Sequence, residues 1–85
     1  MEANRTDRIT ALQKQIDLLA NAGQLLREAE SLLRRASTQA FIVHANTPDA
    51  GYGPRAEITY ADEVQKLRTK VRNLHGRRVR ERSAD

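Results

Sequence analysis

Residues 18–38 read LLANAGQ LLREAES LLRRAST, three consecutive segments of seven residues that each begin with a pair of leucines. Proline is absent from residues 5–45, and glycine occurs there once, as Gly23. An apolar pattern that repeats every seven residues is typical of an α-helix packed against other helices. The repeat therefore predicts a long helix over about residues 5–40, roughly 50 Å in length at about 1.5 Å per residue.

The apolar surface of this helix is wider than a two-stranded coiled coil requires. Each heptad offers two leucines and one alanine, whereas a two-stranded seam needs only two apolar positions per heptad. Alanine is small, so a neighbouring helix can approach closely. The pattern predicts a helix that contacts more than one neighbour through the leucine pairs Leu18 and Leu19, Leu25 and Leu26, Leu32 and Leu33.

A loop and a second helix are expected after the long helix. Residues 46–57 contain two prolines, two glycines, an asparagine and an aspartate, which predicts a loop. The capping-box pattern from Thr59 to Asp62 predicts a second helix over about residues 60–80. Its narrow apolar stripe consists of Val64, Leu67, Val71 and Leu74.

Two segments remain open to other interpretations. Residues 41–45 and 58–60 are rich in β-branched and aromatic side chains, so a short β-ribbon around the loop is an alternative to helix there.

Residues 77–85 are polar and strongly basic, which predicts an exposed basic C-terminal tail.

Together these elements predict a single all-α domain over residues 1–85, a long antiparallel helical hairpin that resembles a coiled coil. The shorter helix cannot cover the wide face of the longer one, and monomers rarely expose large apolar patches. We therefore expect self-association into a homodimer or higher oligomer as a helical bundle. The predicted oligomer core is Leu18, Leu19, Leu25, Leu26, Leu32, Leu33, Val64, Leu67, Val71 and Leu74.

Composition argues against several classes of protein. Cysteine is absent, which excludes disulfides, thiolate metal sites and thiol nucleophiles. His44 and His75 lack further ligands at useful spacing, and no serine lies in a nucleophile motif. We therefore expect no catalytic residues, no metal and no cofactor, and thus no enzyme. Without an apolar run of about 20 residues or a signal-peptide core, we expect a cytoplasmic protein that makes no membrane contact.

Charge points to a region for partner binding. The chain has a net charge of +4, and its last 23 residues carry eight basic against three acidic side chains. Arginine makes forked contacts with phosphates and carboxylates, and an aromatic ring in a loop suits a protein hot spot. The predicted partner-binding residues are Tyr52 and Arg55 in the loop and Arg72, Arg77, Arg78, Arg80 and Arg82 near the C-terminus.

The sequence thus predicts a small, non-enzymatic, homo-oligomeric helical protein that acts through protein–protein contacts with an unidentified protein partner. Such a chain fits a regulator, inhibitor or adaptor of the kind that phages and mobile elements encode. One alternative is a nucleic-acid-binding protein whose Arg-rich C-terminal segment grips phosphates without reading sequence. Another is the capture of an anionic small ligand at the loop or at a subunit interface.

Overall fold

The computed structural model describes residues 2–47 and 55–84, which form two helices and contain no strand. Helix α1 spans Glu2–Ala45 and helix α2 spans Arg55–Ala84. The helices are antiparallel, because Gln13 near the start of α1 contacts Arg82 near the end of α2. The described chain is therefore an all-α helical hairpin, which confirms the predicted fold class at this level.

Helix α1 is longer at both ends than the predicted range of residues 5–40. It ends at Ala45, and the polar side chains of the next two residues hydrogen-bond carbonyl oxygens in its last turn. The Asn46 side-chain amide donates to the carbonyl oxygen of Ile42 at 2.7 Å, and the Thr47 hydroxyl donates to that of Val43 at 2.8 Å. The backbone N–H of Asn46 also donates to both of these carbonyl oxygens at 3.2 Å, so the side chains add second hydrogen bonds where the helix ends.

The alternative of a β-ribbon is wrong, because residues 41–45 and 58–60 are both helical. β-Branched side chains lower helix propensity only slightly. Extending an existing helix adds one backbone hydrogen bond for each residue fixed, whereas an isolated two-stranded ribbon is marginally stable in water. Helix continuation therefore outweighs the β-propensity of these residues.

Helix α2 also exceeds its predicted range of residues 60–80. It begins at Arg55, so the predicted capping box at Thr59 lies inside the helix. Of the predicted loop over residues 46–57, the last three belong to α2, and residues 48–54 lie outside the described residues. Pro54 directly precedes the helix in the sequence, as suits a first turn whose N–H groups have no intrahelical partner.

Helix α2 continues through Gly76 to Ala84, so residues 77–84 are helical and part of α2. Arg78, Val79 and Arg82 are half-buried, although the sequence indicated that this segment was too polar for burial. Arginine has a long aliphatic stem that can cover apolar surface while its charged head reaches water. The basic segment is thus part of the hairpin.

The two helices meet along a seam in which residues follow one another at alternating steps of three and four, as in a coiled coil. Every seam residue is buried or half-buried. On α1 the seam consists of Ile9, Leu12, Ile16, Leu19, Gly23, Leu26, Glu30, Leu33, Ser37, Ala40 and His44. On α2 it consists of Glu57, Ala61, Val64, Arg68, Val71, His75, Arg78 and Arg82.

The most buried large apolar side chains of the seam lie toward the open end of the hairpin. Leu12 and Ile16 are only 8% and 6% exposed, and the Gln13–Arg82 contact places the last turns of α2 beside them. Toward the loop end, Ala61 is fully buried and Ser37 nearly so. The buried apolar side chains are few, so this hairpin has a thin core.

The molecule is a rod of 70 × 14 × 13 Å, with a radius of gyration of 19.7 Å. A compact domain of 85 residues would have a radius of about 12 Å. The chain exposes 6605 Å², whereas a folded monomer of 9.6 kDa exposes about 5,100 Å². A single hairpin therefore leaves far more surface uncovered than a typical monomer.

Candidate functional site: a leucine face and an arginine groove

The seam divides the hairpin into two sides that differ in chemistry. On one side of the seam, Arg34 of α1 hydrogen-bonds Asp62 and Gln65 of α2. These three residues therefore identify that side on both helices. In each leucine pair of α1, the second leucine lies in the seam and the first lies on the other side. The residue that precedes each of Ala61, Arg68 and His75 lies on that same other side of α2.

We call this other side the leucine face. Its members are Leu18, Ala22, Leu25, Ala29, Leu32 and Ala36 on α1, together with Tyr60, Leu67 and Leu74 on α2. Leu18, Leu25 and Leu32 are 69%, 57% and 60% exposed, and Leu67 is 48% exposed. The three leucines repeat every seven residues, and each has an alanine four residues later.

The leucine face is uncharged along α1. Eight positions follow one another at steps of three and four, and none of them carries a charge: Ala11, Gln15, Leu18, Ala22, Leu25, Ala29, Leu32 and Ala36. This is a second heptad seam that α2 does not cover. A surface of this pattern is suited to packing against another helix, with leucines seated over alanines.

The hairpin itself uses only part of the predicted oligomer core. Leu19, Leu26 and Leu33 are half-buried against α2, and Val64 and Val71 are half-buried against α1. Leu74 is half-buried on the leucine face. The remaining members lie exposed on the leucine face, and their burial by self-association stays a prediction. The set of ten omitted the most buried apolar residues: Leu12, Ile16 and Ala61. The heptad register indicates the first two, whereas nothing in the sequence singles out Ala61.

The opposite side carries an ion-pair network centred on Glu30, which occupies a seam position. Its Oε2 accepts a hydrogen bond from Nε of Arg34 at 3.0 Å, and its Oε1 lies 3.2 Å from Nη1 of Arg68. Nη2 of Arg34 also lies 3.4 Å from Oδ1 of Asp62. The hydrogen bond to Glu30 is the main cause that raises the pKa of Arg34; desolvation opposes it and Asp62 adds to it.

Next to this network lies an arginine groove of about 270 Å³. Leu19, Gly23 and Val71 line it from the seam. Its polar lining includes Gln24, Arg27, Arg68, Thr69, Arg72 and His75, and it contains no acidic residue. Gly23 creates the hollow, because it stands where the seam would otherwise carry a side chain.

The predicted partner-binding residues that the structure describes lie at both ends of α2 and do not form one cluster. Tyr52 lies outside the described residues, and Arg55 is the exposed first residue of α2. The arginines near the C-terminus divide into two groups. Arg72, Arg77 and Arg80 are exposed, whereas Arg78 hydrogen-bonds Glu81 and Arg82 hydrogen-bonds Gln13, so both are half-buried.

The sequence reasoning missed the groove residues of α1, above all Gly23 and Arg27. A single glycine inside a helix that is otherwise rich in leucine and alanine was the available signal. His75 also belongs to the groove and lies within α2 at the seam. Among the described residues, no group of three His, Cys, Asp or Glu is arranged to hold a metal ion.

Neither described helix has an apolar stretch long enough to cross a bilayer. Comparisons with protein-family models, curated proteins and solved structures found no match to this chain. Its function must therefore be argued from its own surfaces.

Proposed function

We propose that this protein is a non-enzymatic, self-associating helical hairpin that acts as a regulator or adaptor through protein–protein contacts. One observation carries the proposal: Leu18, Leu25 and Leu32 lie more than half exposed on a face of α1 without charge. Monomeric proteins tolerate single exposed leucines, but a contiguous apolar face of several hundred Å² usually marks an interaction surface.

The occupant that we assign to the leucine face is a second copy of the same chain. From Ala11 to Ala36 the face is about 38 Å long, and two helices side by side are about 20 Å wide. That footprint is roughly 750 Å², close to the roughly 800 Å² per partner of a standard stable interface. A second leucine face also matches in chemistry, because its leucines can rest over the alanines of the first.

Self-association through this face yields a four-helix bundle. The arginine groove and the exposed Arg80 lie away from the leucine face and stay accessible in such a dimer, whereas Arg77, three residues after Leu74, borders that face. The regulator or adaptor role is proposed for these remaining surfaces, because the bundle presents each of them twice. A bivalent surface increases apparent affinity for a partner with two matching sites without any new contact.

The test is analytical ultracentrifugation of the full chain at micromolar concentration. We expect a mass of at least twice the 9.6 kDa of one chain. Leu25→Lys places a charge in the middle of the leucine face, so we expect it to weaken self-association by about tenfold or more, because a buried unpaired charge is costly. Ser31→Lys makes the same change of charge at an exposed position outside that face.

The masses of the wild-type chain and of the two variants test the proposal. The proposal requires Ser31→Lys to remain associated, and Leu25→Lys to self-associate more weakly by sedimentation while it stays helical by circular dichroism. A wild-type chain that sediments as a folded 9.6 kDa monomer contradicts the proposal. Equal behaviour of the two variants contradicts the choice of the leucine face.

Nucleic-acid binding ranks below this proposal. Of the five arginines from Arg72 to Arg82, two are half-buried and engaged within the hairpin, which leaves fewer guanidinium groups for phosphates. Non-specific affinity grows with the number of phosphates that a protein neutralises. The three exposed arginines therefore support only a weak nucleic-acid contact.

A further inference from the structure

Gly23 is the feature of the seam that calls for an explanation. Glycine in a helix interior costs about 0.5–1 kcal/mol relative to alanine. A Cβ added to Gly23 would meet no heavy atom within 4 Å, so close helix packing does not require glycine there. The missing side chain instead leaves open the arginine groove of about 270 Å³.

The groove combines an apolar floor with cationic walls. Leu19 and Val71 provide the floor, while Arg27, Arg68 and Arg72 extend from both helices. Neither Arg27 nor Arg72 forms an ion pair within residues 2–47 and 55–84. Their guanidinium groups are thus available to bind a ligand anion by forked hydrogen bonds.

Arg68 has a different role in the groove. Glu30, whose side chain is 12% exposed, forms an ion pair with Arg68 at 3.2 Å from Nη1, which restrains the guanidinium group although Oε1 of Glu30 accepts no hydrogen bond from it. The remaining N–H groups of Arg68 can still donate to a ligand. Pre-positioning a binding group in this way lowers the entropy lost when a ligand binds.

We propose that the arginine groove binds a small organic phosphate, with the phosphate between Arg27 and Arg72 and a compact apolar body over Gly23. The groove volume of about 270 Å³ lies just below the usual range for small-molecule sites, roughly 300–1,000 Å³. It therefore suits a phosphate monoester with one small ring rather than a large cofactor. The imidazole of His75 lies in the same lining and provides a further polar contact.

This site is independent of self-association. The groove opens on the side of the hairpin that carries Arg34 and Asp62, and the leucine face lies on the other side. A variant in the groove leaves the leucine face intact, so sedimentation and ligand binding report on separate surfaces. Failure of one proposal leaves the other unaffected.

The experiment is a titration of the full chain with phenyl phosphate. Binding is measured by calorimetry and by the shifts of the amide NMR signals of Gly23 and Thr69. We expect saturable binding with one site per chain and a Kd below about 1 mM. Inorganic phosphate and phenol, which each present half of the probe, should bind at least about tenfold more weakly, because each loses one set of contacts.

Two pairs of variants locate the site. Gly23→Leu fills the hollow without changing charge, and Asn21→Leu adds the same side chain on the exposed surface of α1. Arg72→Gln removes a charge from the groove, and Arg77→Gln removes one from an exposed position outside its lining. We expect Gly23→Leu and Arg72→Gln to weaken binding by about tenfold or more, since charge-assisted hydrogen bonds are the strong ones.

Three results would overturn the proposal. The first is the absence of saturable phenyl phosphate binding at millimolar concentration. The second is equal binding of inorganic phosphate and phenyl phosphate, which would mean that the apolar floor contributes nothing. The third is equal binding by Gly23→Leu and Asn21→Leu, both helical by circular dichroism. If Gly23→Leu does not fold, phenyl phosphate binding is compared between Arg72→Gln and Arg77→Gln. Equal binding by these two variants would then overturn the proposal.

Discussion

Ending the chain at Gly76 should strongly destabilise the hairpin. The last turns of α2 lie beside Leu12 and Ile16, which are 8% and 6% exposed. Fully burying a leucine or isoleucine side chain contributes about 1.5–3 kcal/mol, so uncovering both removes about 3–6 kcal/mol. A chain of this length has a total stability of about 4–13 kcal/mol. The truncation therefore removes a large share of the free energy of unfolding.

Urea unfolding, followed by circular dichroism at one fixed protein concentration, measures this loss. The matched control is the double variant Arg77→Gln and Arg80→Gln, which lowers the positive charge of the same segment but keeps the helix. Both arginines are exposed, so the control should change stability by no more than about 0.5 kcal/mol.

A double-mutant cycle tests the assigned contact directly. In the full chain, Ile16→Ala should cost about 2–5 kcal/mol, as large-to-small substitutions in a core do. In the truncated chain it should cost far less, because Ile16 is already uncovered, and the difference is the coupling between the two changes. A truncated chain with the urea midpoint of the full chain would refute the reasoning, and so would equal costs of Ile16→Ala in both backgrounds.

Two further predictions concern the glycine and the arginines. Gly23→Ala should raise the free energy of unfolding by about 0.5–1 kcal/mol, because the new Cβ meets no atom within 4 Å and alanine favours the helix. The Tm should then rise by roughly 4–8 °C for each kcal/mol gained in the free energy of unfolding. A lower Tm would contradict the conclusion that packing does not require glycine at position 23. Random-sequence duplex and single-stranded DNA should bind more weakly than about 1 μM at about 150 mM salt. Tighter binding that is lost when Arg72, Arg77 and Arg80 become glutamine would place nucleic-acid binding first.

The helices themselves follow from the sequence. The heptad repeat over residues 18–38, with no proline from 5 to 45, is local information, and the helix it predicts is present. The helix ends were less predictable. Residues 41–45 have β-propensity but continue the helix, because extension of an existing helix is favourable. The basic segment at residues 77–84 looked like a tail, since composition gives no sign that arginine stems will cover a neighbour.

The sequence by itself determined that α1 carries three apolar lines, and that their width exceeds what one short helix can cover. It could not decide which line faces α2, because periodicity fixes the angles between lines but not the position of a partner. The tertiary structure assigns Leu19, Leu26 and Leu33 to the seam and leaves Leu18 and its heptad equivalents outside.

Tertiary structure also decided the arginine groove and the division of the C-terminal arginines. The missing side chain of Gly23 leaves a groove only because Val71 and the arginines of α2 lie opposite it. The C-terminal arginines separate into engaged and exposed groups only because the antiparallel register brings Arg82 to Gln13. Both outcomes depend on contacts between residues about 50 to 70 positions apart in the chain, and local sequence patterns carry no information about such pairings.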